Sequence, residues 1–477
     1  PMRFAIEPRF DNGSAGARFS TRAGVAVASW RRDAVAALTW GVGDPLVSED
    51  SVRGEFALAP GDSALIALVA AHQEPLVLPA RSDVETRLRE TAAVWRRWAS
   101  GRTYDGPWRD AVLRSGLALK LLVFAPSGAI AAAATTSLPE EVGGTRNWDY
   151  RFSWPRDAAF TLQALLALGC DREARAFFSW LLHASQLTHP RLQVLYRLDG
   201  RTDAAERELP LAGYRNSRPV RVGNAAAEQL QLDVYGEVLA AARVFARFAG
   251  DLDRDEGRRL AQVADLVCEL WRSPDAGIWE VRSDAAHFTQ SKMMCAIALD
   301  TATTLAEAGR LPGRNVERWR DESKQIRTFV ESSCFDEEAS SYTRAADESE
   351  VDASLLLAVI GGYADAAAPR LVGTVDAVRR ELGRGPLVHR YEAGDGLPGE
   401  DGAFVACSFW LVEALARQGR VGEAAELMEE MVALANDVGL YAEEIDPVSG
   451  DFLGNFPQGL SHLALINAAV ALGKAAQ

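Results

Sequence analysis

From about residue 107 to its end the chain repeats the 3.6-residue helical period about twelve times, near 107–124, 155–169, 171–186, 227–249, 253–272, 287–308, 313–335, 350–361, 366–382, 402–418, 421–436 and 458–474. The segments come in two kinds. "GAFVACSFWLVEALA" and "LSHLALINAAVALG" are apolar nearly all round, whereas "VGEAAELMEEMVALA" and "DLDRDEGRRLAQVADLV" carry a polar face. A helix apolar all round must be covered on every side, and one with an apolar stripe covers something else while facing water. Buried and half-buried helices in alternation are what a closed barrel with an inner and an outer helical ring requires. The competing architecture is an open array of helical repeats, and "LVEALARQGRVGEAAELMEEMVALA" has that local look. No repeat near 34 residues recurs, however, and the connecting loops vary widely in length, which favours the closed form.

Before this region the period is different. "GVAVASW", "AVAALTW" and "GEFALAPGDSALIALVA" are short apolar runs punctuated by Gly, Asp and Pro, so residues 1–80 read as part of an antiparallel β-sandwich. "RSDVETRLRETAAVWRRWAS", residues 81–100, returns to the helical period with Ser82 or Asp83 as its expected N-cap, making residues 81–103 a linker helix and 104–477 the helical domain. A chain of 477 residues exceeds what one core supports, in keeping with two domains.

A net charge of −15 disfavours nucleic acid or an anionic membrane as partner, both of which need clustered Lys and Arg. No apolar run is long enough to span a bilayer. The five cysteines are an odd number, lie far apart and mostly fall inside apolar helical patterns, which suits reduced core thiols and a cytoplasmic location. No CxxC or HExxH spacing offers a metal site, and no cofactor is expected.

Long loops between helices of a compact domain usually build a site, and four carry unusual chemistry. "GGTRNWDYRFSWPRD" crowds Trp148, Trp154, Arg156 and Asp157 at the mouth of a helix. Aromatic faces stack on sugar C–H surfaces, and an Arg beside an Asp offers donors and acceptors to hydroxyl groups; a buried salt bridge with packed indoles is the plainer alternative. In "GIWEVRSDAAHFTQSK", Glu280 follows Trp279, and an indole beside a carboxyl removes its solvation and raises its pKa toward that of a general acid. Alone, such a Glu is more often solvated. "VHRYEAGDGLPGEDGAFVACSFW" combines Arg390, Tyr391, Asp395, Glu400 and Trp410 around a Gly-rich turn that either wraps a polyhydroxylated ligand or is simply exposed. "GLYAEEIDPVSGDFLGNFPQGL" places Glu443 and Glu444 side by side, so in extended backbone one of the two faces a pocket.

Taken together, "IEPRF", "GGTRNWDYRFSWPRDAAF", "GYRNSRPVRVGNAAAEQLQLDVYGE", "GIWEVRSDAAHFTQSKMMC" and "GLYAEEIDPVSGDFLGNFPQGLSHLALINAA" resemble, in order and over nearly the whole chain, glycoside hydrolase family 15, which holds glucoamylases, glucodextranases and bacterial trehalases. The resemblance implies a mainly α fold, an (α/α)6 barrel of about twelve helices preceded by a partial antiparallel β-sandwich. It implies Glu280 as general acid and Glu443 as general base. Trp154, Arg156, Asp157 and Arg390 would grip the non-reducing-end glucose, and the four loops themselves add Trp148, Trp279, Tyr391 and Glu444 as further candidate substrate-binding residues. The implied activity is inverting release of β-glucose from malto- or isomaltooligosaccharides, with α,α-trehalose hydrolysis as the alternative and a non-catalytic carbohydrate-binding barrel as the reading of another class. Where the bacterial pattern has Y-C-W-L-R-D, this sequence has F-S-W-P-R-D, which changes the backbone beside Arg156. The family also carries a longer stretch before "IEPRF", so the expectation is that a further N-terminal fragment or a homo-oligomer completes the sandwich.

Overall fold

Burial sorts the helices into two rings. The computed structural model describes residues 1–399 and 401–477 and divides into two units, Pro1–Gly101 with Leu209–Leu211, and Arg102–Glu208 with Ala212–Gln477.

In the first unit, β1 (Met2–Ile6), β2 (Arg9–Phe10), β3 (Ala15–Gly16), β4 (Phe19–Arg22), β5 (Val25–Trp30), β6 (Asp33–Trp40), β7 (Leu46–Val47), β8 (Val52–Phe56) and β9 (Leu65–His72) make antiparallel sheets ordered β4-β5-β6-β9, β1-β8-β7 and β2-β3. Ala26 and Ala37 of the larger sheet pack with Val52, Phe4 and Ile6 of the three-stranded one, giving the face-to-face layers of a partial sandwich. The opposite side chains of β5 and β6, Val27, Ala36 and Leu38, pack with Leu76 and Leu78. Helix α1 (Arg81–Ser100) follows. Its N-cap is Ala80, against the expected Ser82 or Asp83: the helix starts earlier, so Asp83 lies at the third helical position, and its carboxylate accepts from the Ala80 N–H at 3.1 Å, the returning half of a capping box.

Twelve α-helices among the described residues of the second unit form the barrel: α2 (Arg109–Leu122), α3 (Ala158–Ala167), α4 (Asp171–Ala184), α5 (Asp233–Phe248), α6 (Arg254–Leu270), α7 (Thr289–Glu307), α8 (Val316–Ser333), α9 (Leu356–Gly361), α10 (Pro369–Leu382), α11 (Val405–Arg417), α12 (Val421–Ala433) and α13 (Gly459–Ala475). In α11, 12 of 13 residues are buried, as the sequence demands of a helix enclosed on all sides. In α8 only Trp319, Ser323, Ile326 and Val330 are buried, one stripe at spacings of four, three and four. The odd-numbered helices from α3 to α13 pack each on the next, and α13 closes back on α3; the even-numbered helices pack outside them. The result is an (α/α)6 barrel.

This winding decides where chemistry can sit. Each passage from an outer helix to the following inner one uses a long loop, residues 123–157, 185–232, 271–288, 334–355, 383–404 and 434–458, while passages from inner to outer are short. Short links force antiparallel neighbours, so all six long loops collect at one end of the barrel, over the N-termini of the inner helices. None of the described helices is long and apolar enough to cross a membrane. The five cysteines are free and buried.

Candidate active site

A pocket of about 780 Å³, its open mouth included, lies among these loops. Of the residues expected at the site, Trp148, Trp154, Arg156, Asp157, Trp279, Glu280, Arg390, Tyr391 and Glu443 line it; Glu444 does not. Asp395 and Trp410 line it as well, and Glu400 lies outside the described residues.

Glu280 ends a tight turn, with its N–H donating to Gly277 O at 3.2 Å and a φ of +60°, a left-handed conformation unusual for a residue with a Cβ. Such strain persists only where the surroundings impose it. Here Gln229 Nε2 donates to the carbonyls of Glu280 (3.3 Å) and Val281 (3.0 Å), and Arg156 Nη1 to that of Ile278 (3.1 Å). The Glu280 carboxylate accepts from Trp154 Nε1 at 2.6 Å and from Arg156 Nη1 at 3.3 Å. Burial pushes its pKa up, against the Arg156 charge and the Trp154 hydrogen bond, and the net direction is upward. Arg156 also donates from Nε to Asp157 at 2.9 Å, so one fork serves both carboxylates. Pro155 begins the turn that turns Arg156 and Asp157 inward just before α3.

Glu444 begins the middle strand of a small antiparallel ribbon formed by Ala403–Phe404, Glu444–Ile445 and Phe452–Leu453, and Glu443 stands just before it, its carbonyl accepting from Val405 N at 3.0 Å. Successive side chains leave an extended backbone on opposite sides, so Glu443 enters the pocket and Glu444 turns away from it. Glu443 Oε2 is buried without a hydrogen-bond partner. Burial raises the group to about 7, with Arg390, the Tyr150 hydroxyl, Arg156 and the Asn455 backbone opposing. Glu444, wholly buried, accepts from Gly402 N at 2.9 Å and stands 3.5 Å from Arg390 Nη2. Its carboxyl is pushed well up, first by burial and then by the neighbouring Glu140 charge. Its position supports Arg390, in contrast to the direct sugar contact expected for it.

Arg390 is the centre of a buried ion cluster. Its Nη2 bonds Asp401 and stands 3.5 Å from both Glu140 and Glu444. Those three carboxyls lie within 4.8 Å of one another, a spacing that suits a cation; the guanidinium of Arg390 already supplies that charge. Arg146 closes the cluster, donating to both oxygens of Asp395 at 2.7 and 3.0 Å and approaching Asp401 at 2.8 Å. Tyr391 OH donates to Asp395 at 3.0 Å, and Trp279 Nε1 to Asp352 at 2.8 Å. Trp148 is engaged by two guanidiniums, those of Arg221 and Arg282, at 4.7 and 5.0 Å from its ring centre. Sequence reasoning missed Glu140, Arg146, Tyr150, Arg282 and Asp401. The density of Arg and Trp between Arg146 and Asp157 was a usable signal for the second and third; nothing local marks Glu140 or Asp401.

Paired buried carboxyls among Trp, Arg and Asp, held by the loops of an (α/α)6 barrel, define a glycosidase-like site. Residues 106–470 match the family described as glycosyl hydrolases family 15. The chain is 42% identical over 430 residues to a trehalase of Mycolicibacterium smegmatis, covering 88% of this chain and 63% of that protein. It is 38% identical over 428 residues to a trehalase of Thermoplasma acidophilum, covering 89% and 73%. Among solved structures, a bacterial glucoamylase complexed with acarbose superposes with a TM-score of 0.74 over 98% of this chain and 77% of that one at 14% identity, a likeness of fold. The chain belongs to glycosyl hydrolase family 15, and it spans somewhat under two thirds of the mycobacterial relative.

Proposed function

We propose that this chain carries the active site of an inverting α-glucosidase whose substrate is α,α-trehalose. The observation that carries the choice of substrate is that relatives at 38–42% identity are named trehalases; the malto- and isomaltooligosaccharide reading, placed first on sequence grounds, gives way to the alternative.

In this reading Glu280 gives its proton to the glycosidic oxygen as the C1–O bond breaks, while Glu443 takes a proton from a water whose oxygen forms the new bond to C1 from the opposite side. An inverting enzyme leaves room for that water, so the two carboxyls are expected roughly 6.5 to 9.5 Å apart. Arg156, Asp157 and Arg390 hold the ring so that attack is in line. The Glu443 Oε2, which has no hydrogen-bond partner, supports its assignment as base, since one carboxylate oxygen is left uncommitted in a residue that lines the pocket. Closure around a neutral sugar removes water from Glu280 and draws Arg156 toward hydroxyl groups, both of which favour the protonated acid.

Proton NMR during the first turnovers tests this. Inversion at one anomeric carbon of α,α-trehalose yields one β-glucose from the attacked ring and one α-glucose from the departing ring, so equal signals are expected at the start. Two α-glucose molecules would mean retention and sink the mechanism. Glucose release from maltose, isomaltose or panose but not from trehalose would sink the substrate assignment.

A further inference from the structure

We infer that Arg282 is the group that recognises the departing sugar, a neutral hexose bound at the pocket mouth. This rests on the reading of the pocket as an α-glucosidase site.

Four arginines line the pocket, and three of them already pair with buried carboxylates. Arg146, Arg156 and Arg390 have side chains only 5%, 14% and 8% exposed, each locked on carboxylates. The Arg282 side chain is 26% exposed. Among the described residues its one side-chain hydrogen-bond acceptor is Glu206, at the 3.5 Å limit, and the other Glu206 oxygen stands 3.3 Å from Arg221. A guanidinium has five N–H donors, so Arg282 keeps most of its donors for a ligand, while the Trp148 ring at 5.0 Å steadies its plane.

Its backbone is fixed. The amides of Arg282 and Ser283 both donate to Asp395 O, at 3.2 and 3.1 Å. Gly396 lies so close above them that a Cβ there would stand 3.0 Å from Ser283 N. Arg146 holds the same loop by Asp395 and by the Pro398 carbonyl at 3.2 Å. A rigid main chain thus presents a side chain with spare donors two residues beyond Glu280. Glu280 must point at the oxygen that leaves with the second sugar, and the more buried Arg156, Asp157 and Arg390 are taken by the first. Arg282 is therefore the cation placed to meet the hydroxyls of the second ring.

The test compares kcat/KM for α,α-trehalose with that for α-D-glucosyl fluoride, whose leaving group has no hydroxyls, in the wild type, Arg282→Gln and Arg282→Lys. Arg282→Gln is expected to lose about ten- to a hundredfold more on trehalose than on the fluoride, as loss of a charged hydrogen bond does, and Arg282→Lys to recover part of the difference. Equal losses on both substrates would mean that Arg282 acts only through Glu280 or the fold, and undiminished trehalose cleavage would mean that it contacts nothing; either overturns the inference. If the wild type cleaves the fluoride and maltose but not trehalose, the trehalase reading fails, and the same ratio measured with maltose decides the role of Arg282.

Discussion

Gly454 stands directly against the side chain of Glu443. Its φ is +74°, and a Cβ built on it would lie 2.7 Å from Glu443 Oε2 and 2.8 Å from Glu443 Cβ. Gly450, at the tip of the same hairpin, has nearly the same φ, +76°, with nothing within 4 Å of the position a Cβ would take. The pair separates two costs. Alanine at either position pays for a left-handed backbone, roughly 1–2 kcal/mol, partly offset by about 0.4–1 kcal/mol from the stiffer unfolded chain. Both variants should therefore lose a small amount of stability from the backbone, and Gly454→Ala more than Gly450→Ala because its Cβ also meets Glu443 Cβ. Only Gly454→Ala must also push the Glu443 carboxyl aside, by the better part of an ångström to restore an ordinary contact. A displacement of about 1 Å at a catalytic group costs on the order of a hundredfold in rate. Glucose release from saturating trehalose should then fall about ten- to a hundredfold in Gly454→Ala and stay within about twofold in Gly450→Ala, with thermal melts showing both variants folded at the assay temperature. Equal kcat in the two variants would refute the claim that Glu443 must keep this position.

The pH dependence follows from the directions of the two shifts. Glu443, raised to about 7, must be ionised, so kcat/KM should fall as pH drops through neutrality; Glu280, also raised, must keep its proton, so activity should fall again at higher pH. The bell belongs to the pair, and neither limb by itself assigns a residue; a profile flat from pH 4 to 9 would contradict both roles. Glu280→Gln and Glu443→Gln should each lower kcat by about a hundredfold or more, whereas Glu444→Gln, altering only a support of Arg390, should cost clearly less in steady-state assays. The reverse order would make Glu444 the base.

Much of the barrel was legible because apolar periodicity reports burial directly. The all-round apolar stretch of 402–416 had to be inner, and the striped stretch of 253–272 had to be outer. The loops gave themselves away by residues that are costly to bury, such as Trp154, Arg156 and Glu280. The ion cluster did not show, because its members meet only in space: Arg390 pairs with Glu140 from 250 positions earlier. In sequence Asp401 reads as an ordinary acid in a Gly-rich turn. The adjacency of Glu443 and Glu444 said that they face opposite ways, but which one faces the pocket depends on the register of Glu444 with Phe404 and Leu453, set by strands of two residues that no period announces.

Charge balance around the pocket connects these parts. Glu140, Asp157, Glu280, Asp395, Asp401, Glu443 and Glu444 face Arg146, Arg156 and Arg390, an excess of acid that a buried site cannot hold fully ionised. Burial, the largest effect at each, drives Glu140, Glu280, Glu443 and Glu444 above the ordinary carboxylate range, and guanidiniums oppose it, Arg390 at Glu140, Glu443 and Glu444 and Arg156 at Glu280. The proposed base is thus drawn toward its ionised form by Arg390 and the proposed acid by Arg156, and a neutral sugar is the ligand that adds no charge to either pair.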